Sequence, residues 1–206
     1  MEKNTHPYAD LGPEEVLQAV EKLGFEPDAR VFALNSYENR VYQVGLYDSD
    51  SIIVKFYRPG RWSREQILEE HAFAEELSSL EIPVVAPLKL SQEETLVQIN
   101  DFPIAVFPQI IGRPPELDNL DNLLVMGRFV ARIHAVGAMA NFETRNQLSV
   151  SALGHSSREF LLENNFFPKD LVPAYESLSA DLVTKIDTLF AEQGELPLIR
   201  IHGDCH

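Results

Sequence analysis

"SIIVKFYRPGRWSREQILEEHAFAEELSSL", running from Ser51 to Leu80, decides the fold. Its first seven residues, Ser51–Tyr57, are rich in β-branched and aromatic types and read as a strand with one lysine, Lys55, inside it. Pro59 and Gly60 end that strand. Ser63 followed by Gln66 matches a capping box and opens a helix. Along this helix Ile67, Glu70, Ala74 and Leu77 recur at helical spacing on one face.

Outward from this stretch, "RVYQVGLYDSDSIIVKFYRP" reads as a hairpin: Arg40–Val44 alternates, "YDSDS" turns, and Ser51–Tyr57 returns. Upstream, "GPEEVLQAVEKLG" is a short helix, with Pro13 in its first turn and Val16, Leu17, Val20 and Leu23 in one stripe. Downstream, "ETLVQIN" and "FPIAVFPQI" read as two further strands, and "IGRPPELDN" as a connection. The character then turns helical. "DNLLVMGRFVARIHAVG" carries Leu123, Met126, Val130, Ile133 and His134 on one side, and helices are predicted over 158–164 and 173–193. Leu198–Ile201 reads as a short closing strand. The order predicts an α+β fold: an antiparallel-sheet N-terminal lobe over 1–106, a hinge at 107–113 and a mostly helical lobe over 114–206.

Composition excludes several classes. The 206 residues carry a net charge of −15, which argues against non-specific nucleic-acid binding, because that depends on neutralising phosphates with Lys and Arg. A nucleotide is still admissible, since a few local donors and a cation hold it. No run approaches the roughly 18 consecutive apolar residues of a membrane helix, and the first twenty residues lack a basic-then-apolar signal pattern. The single cysteine, Cys205, excludes an internal disulfide and a CxxC metal site. A cytoplasmic protein with no membrane partner is expected.

Lys55 and Glu70 are the first candidates for chemistry. A lysine among apolar strand residues needs an anion near a buried surface; alternatively it points outward on the wet face of an amphipathic strand. Glu70 interrupts an apolar stripe, where a carboxylate is costly unless paired; alternatively it sits at the edge of that stripe, and Glu69 could exchange roles with it. Together, a strand lysine and the acid of the following helix form the pair with which protein kinases grip the α- and β-phosphates of ATP. Before the hairpin, "LNSYENR" offers the backbone N–H groups of Asn35–Asn39 and the Ser36 hydroxyl, or serves as a plain turn. At the chain's end, "HGDCH" puts Asp204 after a strand and a glycine, at the mouth of a cleft, flanked by His202 and His206. The alternatives there are a metal site, which the helix-breaking Gly203 disfavours, or an uninvolved terminus. Nothing marks the Cys205 thiol as activated.

"LNSYENRVYQV", "IIVKFYRPGRWSREQILEEHAFA", "AVFPQIIGR" and "HGDCH", in this order, closely resemble the bacterial stress response kinases. These are protein serine/threonine kinases in the protein-kinase-like superfamily of aminoglycoside and choline phosphotransferases. The resemblance covers roughly residues 30–206 and implies a bilobal fold, ATP and Mg²⁺ as cofactors, and a Ser/Thr hydroxyl on a protein as acceptor. It implies that Lys55 grips the phosphates with Glu70 as its partner, and that Ser36 is the nucleotide-loop residue. Phe107 would gate the back of the adenine pocket, with the Pro108 carbonyl and the Ile110 N–H facing adenine and Gly112 at the turn of the hinge. Asp204 would be the catalytic aspartate, with His202 and His206 supporting its loop. The family pattern continues as HGDxHxxN and then a metal-binding Asp. The sequence stops at His206, inside that pattern, so the resemblance also implies a fragment of a longer kinase, with weak or no phosphoryl transfer and no metal ligands of its own. A small-molecule phosphotransferase of aminoglycoside, choline or homoserine type keeps the same fold, and a non-catalytic nucleotide- or partner-binding module is the third reading.

Overall fold

The computed structural model of the chain describes residues 7–203. Two compact units result, one comprising Met1–Thr144 with Arg200–His206 and the other Arg145–Ile199.

The first unit is built on a five-stranded antiparallel sheet of order β1-β2-β3-β5-β4. Its strands are β1 (Pro27–Leu34), β2 (Arg40–Leu46), β3 (Ile52–Phe56), β4 (Val97–Ile99) and β5 (Phe102–Pro108). The predicted hairpin is β2–β3, paired from Arg40 opposite Phe56 to Val44 opposite Ile52. Side chains alternate across a strand, so each face of the sheet receives every second residue. Val44, Val54, Phe56, Ile104 and Val106 point to one face and meet Val16 and Val20 of helix α1 (Pro13–Lys22) in the main core. Burying each such side chain contributes about 1.5–3 kcal/mol, which makes this face the main store of stability.

Helix α2 (Arg64–Ser79) covers the opposite face, where Ile67 packs with Tyr57, Leu96 and Ala105. Its capping box is formed as the sequence indicates: Gln66 N–H donates to Ser63 Oγ at 3.2 Å and Ser63 N–H to Gln66 Oε1 at 3.0 Å. Phe73 and Leu77 on another side of α2 join Ile82, Ile133 and Val136 in a third cluster, which anchors the end of α3 (Leu120–Gly137).

The second unit holds a π-helical segment, Ser151–Ser156, running into α4 (Ser157–Glu163), and then α5 (Val172–Gln193). Arg158 ties the two helices by donating to Ser179 Oγ at 2.9 Å and to the Glu176 carbonyl at 3.0 Å.

The α+β class and the antiparallel sheet hold, and three local expectations change. Strand β1 is additional; Pro27 and Asp28 hide its alternation. Helix α3 buries Ile133, Val136 and Gly137, whereas Leu123, Met126 and His134 are exposed, so its contacts gather at the C-terminal end rather than along the stripe. Residues 198–201 form no strand; the Arg200 N–H instead donates to the Gly137 carbonyl at 3.1 Å, so helix α3 takes the bond a neighbouring strand would have taken.

Candidate nucleotide-binding site

The register of the sheet assembles a surface that no single motif announces. Phe32 lies opposite Gln43, Gln43 opposite Ile53, and Ile53 opposite Phe107. One step along, Leu34 lies opposite Val41, Val41 opposite Lys55, and Lys55 opposite Ala105. Directly opposed residues share a face, so two rows cross four strands on the α2 side. Toward α2 the surface is closed over Ala105. Toward β1 it opens: Phe32 is 57% and Leu34 40% exposed. A half-open apolar shelf ending at a lysine suits a flat heteroaromatic group joined to an anion.

Lys55 is held in place by two neighbours. Its ammonium lies 3.4 Å from Glu70 Oε1 and 4.3 Å from the centroid of the Tyr57 ring. The lysine side chain is 22% exposed and the glutamate 40%, so the pair is worth about 0–1 kcal/mol to stability. Its worth is therefore in aiming the ammonium rather than holding the fold. Behind it, Tyr57 is fixed by a buried chain of hydrogen bonds. The Tyr57 hydroxyl meets His71 Nε2 at 2.9 Å, and His71 Nδ1 meets Thr95 Oγ1 at 2.9 Å. Both ring nitrogens face hydroxyls, which donate or accept as needed. The His71 ring also stands edge-on to Phe107, with centroids 6.1 Å apart. The stripe expected on α2 thus shifts: Glu70 faces Lys55 as expected, while the buried places go to Ile67, His71, Phe73 and Leu77, with Ala74 half-buried.

The loop 35–39 before β2 is pinned at Glu38. Its carboxylate accepts from Arg61 Nε at 2.8 Å and from the Trp62 indole N–H at 2.7 Å, and its carbonyl accepts from the Tyr8 hydroxyl at 3.0 Å. Asn39 Oδ1 accepts from the Arg58 N–H at 3.3 Å. Burial opposes ionisation of Glu38, but the hydrogen bonds from Arg61 and Trp62, with the charges of Arg61 and Lys55, outweigh it and hold the carboxyl below its usual range. Burial pushes the Tyr8 phenol up to about 12, which keeps it a donor. The "SYENR" and "RPGRW" strings are therefore two halves of one clamp, with Ser36 half-buried in the loop it steadies.

Of the residues singled out in the sequence, Lys55, Glu70 and Phe107 meet on or beside this face. Pro108 ends β5, and Ile110 lies beyond it, 67% exposed. His202 is exposed near the end of the described chain. Asp204, Cys205 and His206 lie outside the described residues. Sequence reasoning missed Phe32, Leu34, Tyr57 and His71, and the side-chain role of Glu38, which it took only as a backbone donor. Alternation in "RVFAL" could have found the first two; the others act through partners distant in the chain. Among the described residues no three or more His, Cys, Asp or Glu side chains form a group able to hold a metal, and no helix is long and apolar enough to cross a membrane.

A sheet face with an aimed lysine and a clamped loop is thus in place, and comparison with known proteins gives the family of the chain that carries it. The family model of the phosphotransferase enzyme family matches residues 30–206, and the chain belongs to that family. Stress response kinase A of Escherichia coli (strain K12) is 34% identical over 206 residues, spanning 100% of this chain and 62% of that protein. The serine/threonine protein kinase RdoA of Salmonella typhimurium matches at the same identity and the same shares. The chain thus spans somewhat under two thirds of the length of these curated relatives. Among solved structures, amicoumacin kinase, in complex with AMP-PNP, Ca²⁺ and Ami, shares the fold with a TM-score of 0.66 at 22% identity, covering 88% of this chain and 56% of that one.

Proposed function

We propose that the protein is an ATP-dependent serine/threonine protein kinase, with the nucleotide bound on the α2 face of the sheet. The observation that carries this reading is the Lys55–Glu70 pair at 3.4 Å, set at the end of a half-exposed apolar shelf. In this reading adenine lies against Phe32, Ile53 and Phe107, with the Pro108 carbonyl and the Ile110 N–H at its edge and residues 107–113 as the hinge between a lobe over 1–106 and one over 114–206. Ser36 and the backbone of its loop face the phosphates, and Lys55 holds the α- and β-phosphoryl oxygens. Asp204 accepts the proton of the attacking hydroxyl, its loop supported by His202 and His206. The displacement needs positioning and charge neutralisation more than covalent chemistry. Mg²⁺ would supply part of that neutralisation, and the family pattern gives its ligands as an Asn and an Asp that follow the HGD segment.

A protein hydroxyl as acceptor is supported by the names of both curated relatives at 34% identity. A small-molecule acceptor is the second reading, favoured by the amicoumacin kinase whose fold this chain shares. The first test is the melting temperature with and without ATP, each with and without Mg²⁺. ATP should raise it in the wild type, and Lys55→Ala should abolish the rise; an unchanged rise in the variant would place the nucleotide elsewhere. Phosphate transfer by the full-length kinase to protein, set against transfer to a panel of small alcohols, then separates the two acceptors.

A further inference from the structure

Helix α2 serves two clients from two faces. At about 100° per residue, Ile67, Glu70, His71 and Ala74 form the face turned to the sheet. Gln66, Glu69, Phe73 and Glu76, spaced by three and four residues, form another. This second face binds the chain that follows α3. Glu69 accepts from the backbone N–H groups of Glu143 and Thr144, Gln66 Nε2 donates to the Thr144 carbonyl at 2.9 Å, and Phe73 stands edge-on to Phe142 at 5.5 Å.

Arg200 enters the same face from far along the chain. Its guanidinium donates to both oxygens of Glu76, at 2.7 and 3.3 Å, and to the Val136 carbonyl at 3.0 Å, and it lies 4.5 Å over the Phe73 ring. The side chain is 9% exposed. The backbone takes part as well. A Cβ added to Gly137 would come within 2.0 Å of the Arg200 carbonyl oxygen, so only glycine admits this approach. The arrangement is a poor way to gain stability: the Arg200 charge is desolvated beside a Glu76 side chain that stays 36% exposed, and Arg200 Nε is buried with no acceptor among the described residues. It is a good way to fix a position, because a planar fork accepts one geometry.

We propose that Arg200 is a positioning residue that seats the segment entering His202–Gly203–Asp204 on the helix that carries Glu70. One rigid element then sets both the aim of Lys55 and the approach of the catalytic loop, and a shift of α2 disturbs both at once. This rests on the kinase reading for its consequence, though not for its geometry.

The test uses Arg200→Met, the milder Arg200→Lys and Glu76→Gln, and Gly137→Ala, which pushes on the same seat without touching a charge. Exchange of the residue-200 amide, which donates to the Gly137 carbonyl, should quicken at least tenfold in Arg200→Met and Gly137→Ala, while exchange over 104–106 in the sheet stays at its wild-type rate. In the full-length kinase the rate of phosphoryl transfer should fall tenfold or more, with nucleotide affinity within twofold of wild type and Arg200→Lys recovering part of the rate. Arg200→Met combined with Glu76→Gln should do no more harm than Arg200→Met alone. Unchanged exchange of the residue-200 amide in all variants overturns the proposal. So does exchange that rises equally throughout the molecule, the mark of an ordinary stabilising contact. A wild-type chain that binds no nucleotide would defeat the kinase reading and leave the exchange data alone to decide the seat.

Discussion

The two faces of the sheet are made by the same strands and are put to opposite use. Toward α1, Val44, Val54, Phe56, Ile104 and Val106 are essentially dry and wholly apolar. Toward α2 the alternate residues of those strands include Gln43, Lys55 and Phe107, which are half-buried, and the β1 end is open. Burial on the first face has no chemical purpose beyond its free energy. On the second face apolar surface is left uncovered and a cation is held by a pair worth about 0–1 kcal/mol, a stability loss of the kind that interaction surfaces carry.

Substitutions can break or sharpen that contrast. The largest effect belongs to the dry face: Phe56→Ala should destabilise the protein by about 3–5 kcal/mol, since it leaves a cavity that packed neighbours cannot fill, and urea unfolding measures it. An intermediate and pH-dependent effect belongs to the clamp. The folded-state pKa of Glu38 is depressed, so the stability its ionised form contributes is present above the usual glutamate value, about 4.3, and is lost as pH falls through the lower folded value. Unfolding free energies of wild type and Glu38→Gln should therefore differ near neutral pH and converge in acid; a gap that stays constant with pH would remove the charge from the account. The smallest effect on stability belongs to the site itself. Lys55→Met should move the unfolding free energy by no more than about 1 kcal/mol while removing the ATP-dependent rise in melting temperature. A large loss of stability there would mean the two faces do not divide their duties.

The part of the molecule legible in its sequence is the part governed by short-range rules. Ser63 and Gln66 announce a capping box and form one, and Lys55 and Glu70, read as an odd cation and an odd acid in apolar company, do meet. What escaped notice depends on pairing across long separations. Strand β1 is a strand because β2 completes it. His71 is buried because two hydroxyls, from residues 57 and 95, satisfy its ring. Glu38 is a clamp because Arg61 and Trp62 return to it from across the hairpin. Arg200 looks like a strand residue until its N–H finds the end of α3. The exposed stripe on α3 is the same lesson reversed, since apolar periodicity announces a face without saying what covers it.

The clamp has a spectroscopic consequence. Trp62 is the sole tryptophan in the sequence. Its indole N–H donates to Glu38 while the Arg61 guanidinium lies 5.0 Å from its ring. Intrinsic emission excited at the red edge of protein absorbance thus comes from one chromophore, wedged under the loop that Ser36 occupies. Any ligand that lifts or tightens that loop changes the polarity around a single indole, and an unlabelled sample in a cuvette will report it.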